Sequence, residues 1–328
     1  NTEKVLNKIP FGHKIATELY SVKTDIKNRL YKQSTFFEDL GYRYMGPIDG
    51  HNIENLCDAF NAAKRVKGPV LLHVITTKGK GYDYAEKSPS LFHGISKFDV
   101  NSGEPISSAD SYSDKFGEYL CEHAENDSSI CAITAAMGIG TGLEKFSKKY
   151  PERFFDVGIA EEHAITFASG LAKNQMKPIY AVYSTFLQRC YDQIVHDVSL
   201  QKTKMILAID RAGFVGEDGE THHGIFDVAF LGTIPDIKIY SPCCYRSLCA
   251  DINNALYADE YTVAVRYPRG RPSENAAKLR FSEIEFGVYG DEQAKDVIVT
   301  YGRITSEAID AVDELADKGK KVLLILLL

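Results

Sequence analysis

Short apolar runs bounded by turn residues alternate with longer stretches of helical periodicity along most of the chain, the pattern of strands and helices in α/β units. Residues 1 to 33 read as helix with a break at Pro10. Tyr42–Met45 reads as a strand, Gly46–His51 as a turn, and Asn52 as the cap of a helix reaching about Lys67. Gly68-Pro69 ends that helix and leads into the strand Val70–Thr76, so a parallel pair is expected. The glycine loop Thr77–Tyr82 falls at a strand's carboxyl end, where open α/β sheets bind ligands, although a plain strand-to-loop turn explains it equally well. From Asp83 to about Tyr112 the periodicity breaks down, as in a long connection between domains.

A second unit begins where Ser111 caps an amphipathic helix to about Asn126, followed by the strand Ile130–Thr134. The loop Ala135–Gly142 carries Gly138-x-Gly140-x-Gly142, whose spacing does not fit a dinucleotide fingerprint, and a Rossmann site is rejected. Helix Leu143–Tyr150 and strand Arg153–Asp156 lead to Asp156-Val-Gly-Ile-Ala-Glu-Glu-His163, a strand end, a glycine turn and a helix start. Strand Pro178–Val182, helix Leu187–Leu200 and strand Met205–Asp210 follow. The loop Arg211–Gly224, with four glycines and the pair His222-His223, is too polar to be buried without a purpose. Strand Ile237–Tyr240, helix Tyr245–Tyr257 and strand Val263–Arg266 close the unit at Pro268-Arg-Gly270. Residues 271 to 292 read as a polar connection; strand Val297–Thr300, helix Ile304–Asp317 and strand Val322–Leu328 open a third unit. The expected fold class is α/β, with successive parallel-sheet domains and helices on both faces.

A length of 328 residues fits two or three such domains. The net charge of −7, with no basic block, argues against nucleic acid or an anionic membrane as partner. Any phosphate site must therefore be built from a few placed cations. The seven cysteines show no metal-ligand spacing; most fall on apolar faces and read as reduced core residues of a cytosol-type compartment. Val322–Leu328 is too short to span a bilayer and reads as a buried parallel strand. With Asn1 in place of an initiator methionine and no signal-peptide pattern, the expectation is a piece of a longer protein.

Acidic residues in a first helical turn are favoured by the helix dipole alone, which accounts for Glu161-Glu162 as a helix start. Tyr183 and Phe186 fit packing at the start of a helix, His223 fits a surface loop, and Arg211 and Arg269 fit exposed ion pairs. A parallel sheet, however, gathers its strands' carboxyl ends at one edge, which puts Glu161, Tyr183, Arg211, Asp218, His222 and Arg269 together as a candidate site.

Asp156–His163, Tyr183-Ser-Thr-Phe-Leu-Gln-Arg189, Tyr191-Asp-Gln193, His196-Asp197, Ile209-Asp-Arg-Ala-Gly213, Asp218-Gly219, Thr221-His222 and Arg266-Tyr-Pro-Arg-Gly270 resemble the 1-deoxy-D-xylulose-5-phosphate synthases. So do Gly46-Pro-Ile-Asp-Gly-His51, Lys78-Gly-Lys-Gly-Tyr82, Phe92-His-Gly94 and Lys97-Phe-Asp99. The resemblance implies a thiamine diphosphate fold and the condensation of pyruvate with glyceraldehyde 3-phosphate to 1-deoxy-D-xylulose 5-phosphate and CO₂, the first step of non-mevalonate isoprenoid precursor synthesis. It implies that Glu161 hydrogen-bonds the cofactor's aminopyrimidine, with burial expected to raise its pKa. Phe186 would pack on that ring, and Tyr82 and Arg189 would contact the cofactor. Tyr183, Arg211 and Arg269 would hold the phosphorylated aldehyde, and His93, Asp218 and His222 would orient pyruvate and move protons.

The family's Gly-Asp-Gly magnesium motif does not occur, so no metal ligand is assigned, and Mg²⁺ is expected to be held by a part of the first domain outside this sequence. The implied division is 1–111, the late part of the diphosphate-binding domain with a connection; 112–275, the pyrimidine-binding domain; and 276–328, the start of a truncated C-terminal domain. A cytoplasmic homodimer is implied. The alternatives are a transketolase-type two-carbon ketol transfer and a catalytically incomplete thiamine-fold fragment.

Overall fold

Within Arg43–Ile75 a strand, a helix and a second strand form one right-sized parallel unit: β1 (Arg43–Asp49), α1 (Ile53–Ala63) and β2 (Val70–Ile75). The computed structural model describes residues 35–95, 97–106, 110–281 and 286–327; the helix expected over residues 1 to 33 lies outside the described residues. The chain divides into two units, Asn1–Ser107 and Ser108–Leu328.

In the first unit Asn52 caps α1, its side chain accepting the Asn55 N–H at 3.0 Å. Two details differ from expectation. The strand does not stop at Met45: β1 runs through Gly46-Pro47 to Asp49, with a register shift between Met45 and Ile48 that absorbs the proline's missing N–H. Gly46 is required there because a Cβ would lie 2.6 Å from the His73 carbonyl oxygen. α1 stops at Ala63 instead of Lys67, because Arg65 and Val66 bond back to the carbonyls of Ala62 and Ala63 in tighter turns. The aperiodic stretch after Tyr82 also contains a short helix, Asp83–Lys87.

The second unit is built on a six-stranded, wholly parallel sheet in the order β4-β3-β5-β6-β8-β7. Along the chain run α2 (Tyr112–Asn126), β3 (Ile130–Thr134), α3 (Glu144–Lys149), β4 (Phe154–Asp156), α4 (Glu161–Lys173), β5 (Lys177–Tyr183), β6 (Ile206–Asp210), α5 (Asp227–Leu231), β7 (Ile237–Tyr240), α6 (Tyr245–Tyr257) and β8 (Thr262–Arg266). Helices on both faces explain why the central strands read as unbroken apolar runs. Ile130, Ala132, Ile179, Ala181, Ala208 and Val265 pack against Phe116 and Leu120 of α2 and Leu248 and Ile252 of α6. Their neighbours Ile133, Tyr180, Val182, Leu207 and Ile209 face Ala164, Ile165 and Ala168 of α4 together with Leu187, Ile194 and Val198. Ser111 and Asp114 close a capping box at the start of α2.

Two glycines of the 138–142 loop, Gly140 and Gly142, have a steric reason. A Cβ on Gly142 (φ +78°) would lie 1.9 Å from the Ser113 carbonyl oxygen, and one on Gly117 would lie 1.9 Å from that of Gly142. Loop and α2 therefore meet backbone to backbone. Gly117→Ala is expected to destabilise the protein by about 1–3 kcal/mol through overpacking, although Ala gains about 1 kcal/mol in helix propensity. A melting temperature at or above that of the unsubstituted protein would refute this.

Other departures from the sequence reading are local. The helix expected over Leu187–Leu200 changes pitch repeatedly, ending in a π-helical turn over Ile194–Ser199, which keeps Leu187, Cys190, Ile194 and Val198 on the sheet. α5 was not expected. Residues 271–292, expected as a polar connection, hold β9 (Arg280–Phe281) and β10 (Phe286–Gly290), two short strands of which β10 is interrupted by glycine. They join β11 (Asp296–Tyr301) and β12 (Val322–Leu327) in the order β11-β12-β10-β9, around a core shared with α7 (Thr305–Asp317). This sheet is mixed, since β12 is parallel to β11 and antiparallel to β10. All seven cysteines are free, yet Cys131, Cys190 and Cys243 alone are buried; helix faces place Cys121 and Cys249 half in solvent. Among the described residues no helix is long and apolar enough to cross a membrane.

Candidate active site

At the end of β4 the Asp156 side chain accepts the N–H groups of Ala136 (2.8 Å) and Gly158 (3.0 Å), and Gly158 takes φ +72°. This turn sets Glu161 at the first position of α4. The two adjacent carboxylates then part company: Glu161 is 3% exposed, whereas Glu162 is exposed. Glu161 Oε1 receives Arg189 Nη1 at 2.6 Å, and the same guanidinium lies over the Phe186 ring at 5.2 Å. Arg189, with 48% of its side chain exposed, is the solvent-facing member of this pair.

Phe186 continues the contact toward the sheet edge. Its ring stacks on Tyr183 (centroids 6.0 Å apart) and meets His222 edge-on at 5.5 Å. Thr185 donates to the Thr221 carbonyl at 3.1 Å, tying the 211–224 loop to the end of β5. His222 Nδ1 is 3.0 Å from the Thr221 hydroxyl. His223, expected at the surface, is half-buried and braces the loop: its Nδ1 accepts the Val215 N–H at 3.2 Å.

Beyond Tyr183 the site becomes cationic. The Arg211 guanidinium lies 3.7 Å from the Tyr183 ring centroid, donates from Nη1 to the Gly140 carbonyl at 2.9 Å, and from Nε to Asp218 at 3.1 Å. Arg269 Nε reaches the same Asp218 oxygen at 3.2 Å, so one carboxylate bridges both arginines. Gly140 permits this closeness, because a Cβ there would lie 1.8 Å from the Tyr183 hydroxyl. Burial pushes the Tyr183 phenol up, against the lowering effect of Arg211. Burial works against the charge of Arg211, but Asp210, Tyr183 and Asp218 outweigh it and raise its pKa. Burial also pushes Asp210 up to about 6, opposed by Arg211 and by the Ser113 hydrogen bond.

A continuous run of contacts therefore joins Glu161, Arg189, Phe186, Tyr183, Arg211, Asp218 and Arg269, with His222 against its aromatic middle. Tyr82 and His93 belong to the first unit. Tyr82 packs among Tyr84, Phe92 and Phe98 and donates to the Val100 carbonyl at 2.9 Å. His93 ends an exposed tight turn. Sequence reasoning missed Asp210, Gly140 and the buried pair Asp227–Arg266. The available signals were an aspartate preceding a site arginine and a glycine opposite a tyrosine, and both needed the strand order to be read. Among the described residues no group of three or more His, Cys, Asp and Glu is placed to hold a metal ion.

A buried carboxylate beside an aromatic face suits a flat heterocycle, and two bridged guanidinium groups suit a phosphate. The sequence profile of the transketolase pyrimidine-binding domain matches residues 109–273, and that of 1-deoxy-D-xylulose-5-phosphate synthase matches residues 1–76. The chain is 48% identical over 317 residues to the 1-deoxy-D-xylulose-5-phosphate synthase of Clostridium acetobutylicum, covering 96% of this chain and 51% of that protein. It is 48% identical over 320 residues to the synthase of Caldanaerobacter subterraneus subsp. tengcongensis, covering 97% and 51%. The chain thus spans about half the length of the curated relatives it matches. Among solved structures, transketolase from Campylobacter jejuni is similar with TM-score 0.58 at 19% identity, over 89% of this chain and 57% of that one. An inactive β4 tetramer of a split-gene transketolase is similar with TM-score 0.57 at 25% identity, over 67% of this chain and 71% of that one.

Proposed function

The chain belongs to the 1-deoxy-D-xylulose-5-phosphate synthase family, and from that premise we propose that its parent protein condenses pyruvate with glyceraldehyde 3-phosphate, releasing CO₂ and forming 1-deoxy-D-xylulose 5-phosphate. The observation that carries the reading is a buried carboxylate and an aromatic ring at one end of a contact chain whose other end is a pair of arginines. Residues 112–275 then form the pyrimidine-binding domain, 1–111 the late part of the diphosphate-binding domain, and 276–328 the start of the C-terminal domain.

The family implies thiamine diphosphate, and the residues present fit its pyrimidine half: Glu161 is 3% exposed, and Phe186 lies beside its partner Arg189. When bound, the cofactor supplies a carbon nucleophile and an electron sink for decarboxylation. Glu161 holds a hydrogen bond to a ring nitrogen and sets its protonation, Phe186 covers the ring, and Arg189 keeps Glu161 in place. Tyr183, Arg211 and Arg269 grip the acceptor's phosphate, and Asp218 fixes the two guanidinium groups relative to each other. His222 moves protons at the reacting oxygens; the resemblance gives His93 a like task and Tyr82 a contact with the cofactor. Mg²⁺ on the diphosphate, a homodimer and a cytoplasmic setting belong to the same reading.

The full-length protein is expected to consume pyruvate and release CO₂ only when glyceraldehyde 3-phosphate is supplied. Consumption of a ketose phosphate without CO₂ release would point to two-carbon ketol transfer instead. Arg269→Ala is expected to raise the KM for glyceraldehyde 3-phosphate by roughly 10- to 100-fold, the worth of a charged hydrogen bond. An equal loss with an unphosphorylated acceptor would make Arg269 structural.

A further inference from the structure

Arg211 is held in an arrangement that its own chemistry does not favour. Its backbone takes φ +60°, the left-handed region that an arginine side chain disfavours, immediately after the last residue of a central strand. What holds it is Asp210. One carboxylate oxygen, Oδ1, accepts the Arg211 N–H at 2.7 Å and also lies 3.2 Å from Arg211 Nη1, so a single atom grips both the backbone and the guanidinium of the next residue. The other oxygen, Oδ2, accepts the Ser113 hydroxyl at 2.6 Å, from the first turn of α2. Asp210 is 0% exposed.

A carboxylate is a costly residue to bury at the end of a fully buried strand. Neither sheet pairing nor the apolar core needs it. Its contacts instead complete the immobilisation of Arg211, whose Nε is taken by Asp218 and whose Nη1 is shared by Gly140 and Asp210. Tyr183 covers one face of the guanidinium. Nη2 is then the corner of the fork left without a protein partner among the described contacts, and its position is set by those three anchors.

We propose that Asp210 is a positioning residue for the phosphate of the acceptor substrate, acting through Arg211 by locking its left-handed backbone and its guanidinium in one pose. The proposal rests on the phosphate reading of Arg211 given above. Ser113 forms the second half of the device. Its hydroxyl can donate or accept, so it satisfies a charged carboxylate and equally a neutral side-chain amide. Asn at position 210 therefore keeps the volume, the acceptor for the Arg211 N–H and a bond to Ser113, and removes only the charge that holds Nη1.

The test is Asp210→Asn in the full-length protein, with two independent readouts. In steady-state assays the KM for glyceraldehyde 3-phosphate is expected to rise about tenfold, the loss of one charge-assisted contact, with kcat and the KM for pyruvate within about twofold. With peptide mapping after phenylglyoxal treatment, which needs no turnover, Arg211 is expected to be modified several-fold faster than in the unsubstituted protein. Ser113→Ala should move both readouts in the same direction by less. Unchanged KM and unchanged Arg211 modification overturn the proposal. Faster modification with an unchanged acceptor KM overturns the phosphate reading of Arg211, and the proposal with it. A parallel loss of kcat and both KM values with a lowered melting temperature, and no effect of Ser113→Ala, makes Asp210 structural.

Discussion

Glu161→Gln in the full-length protein is expected to lower kcat by roughly 10²- to 10⁴-fold, the usual worth of a positioned acid–base group. The fold should survive, because glutamine keeps the volume at the first position of α4 and its carbonyl can still accept from Arg189, now 2.6 Å from Glu161 Oε1. Neighbouring Glu162 provides the internal control: it is exposed, and Glu162→Gln should leave turnover within about twofold while removing a similar dipole interaction. Steady-state rates with pyruvate and glyceraldehyde 3-phosphate, alongside a thermal melt, decide the matter. Near-normal turnover in the Glu161 variant would sink the assignment, and equal losses in both variants would reduce the pair to a helix start.

The largest stability effect is expected at Asp227. Arg266, at the end of β8, is 8% exposed and meets Asp227 through two bonds, Nε at 2.9 Å and Nη2 at 3.2 Å, while Nη1 donates to Ser241 at 3.0 Å. Removing the carboxylate strands a buried guanidinium, so Asp227→Ala should cost about 3–5 kcal/mol. Replacing both members with apolar residues should recover most of that loss, since a buried ion pair is itself close to neutral in stability. Chemical denaturation of the single and double variants measures this. A single-variant loss below about 1 kcal/mol would show that water reaches Arg266.

Strand pattern and caps carried most of the fold into the sequence. β3 and β7 begin and end where their apolar runs do, and Ser111 and Asn52 cap the helices they were expected to cap. Local pattern failed where a tertiary contact overrode it. Pro47 sits inside a strand because the register shift beside it removes the need for its N–H. Phe286–Gly290 forms a strand because β12 offers it an edge. Of the site, Glu161, Tyr183, Arg211, Asp218, His222 and Arg269 were legible as a set of strand-end residues, Phe186 and Arg189 came from the resemblance, and the six-stranded parallel order then supplied their contacts.

The amino-acid sequence by itself determined the α/β class, the carboxyl-edge location of the polar residues and the motifs that carry the family, because these depend on local periodicity and residue type. Only the tertiary structure decided that Glu161 is buried and Glu162 is not, that Asp218 serves two arginines at once, and that Asp210 lies beneath Arg211. It also decided that Gly140 and Gly142 serve close packing of backbone and ring. Apart from the Asp210–Arg211 and Arg211–Asp218 contacts, which are close in sequence, these depend on distances between residues far apart along the chain, and such distances are fixed by strand order and helix packing, which no local pattern encodes.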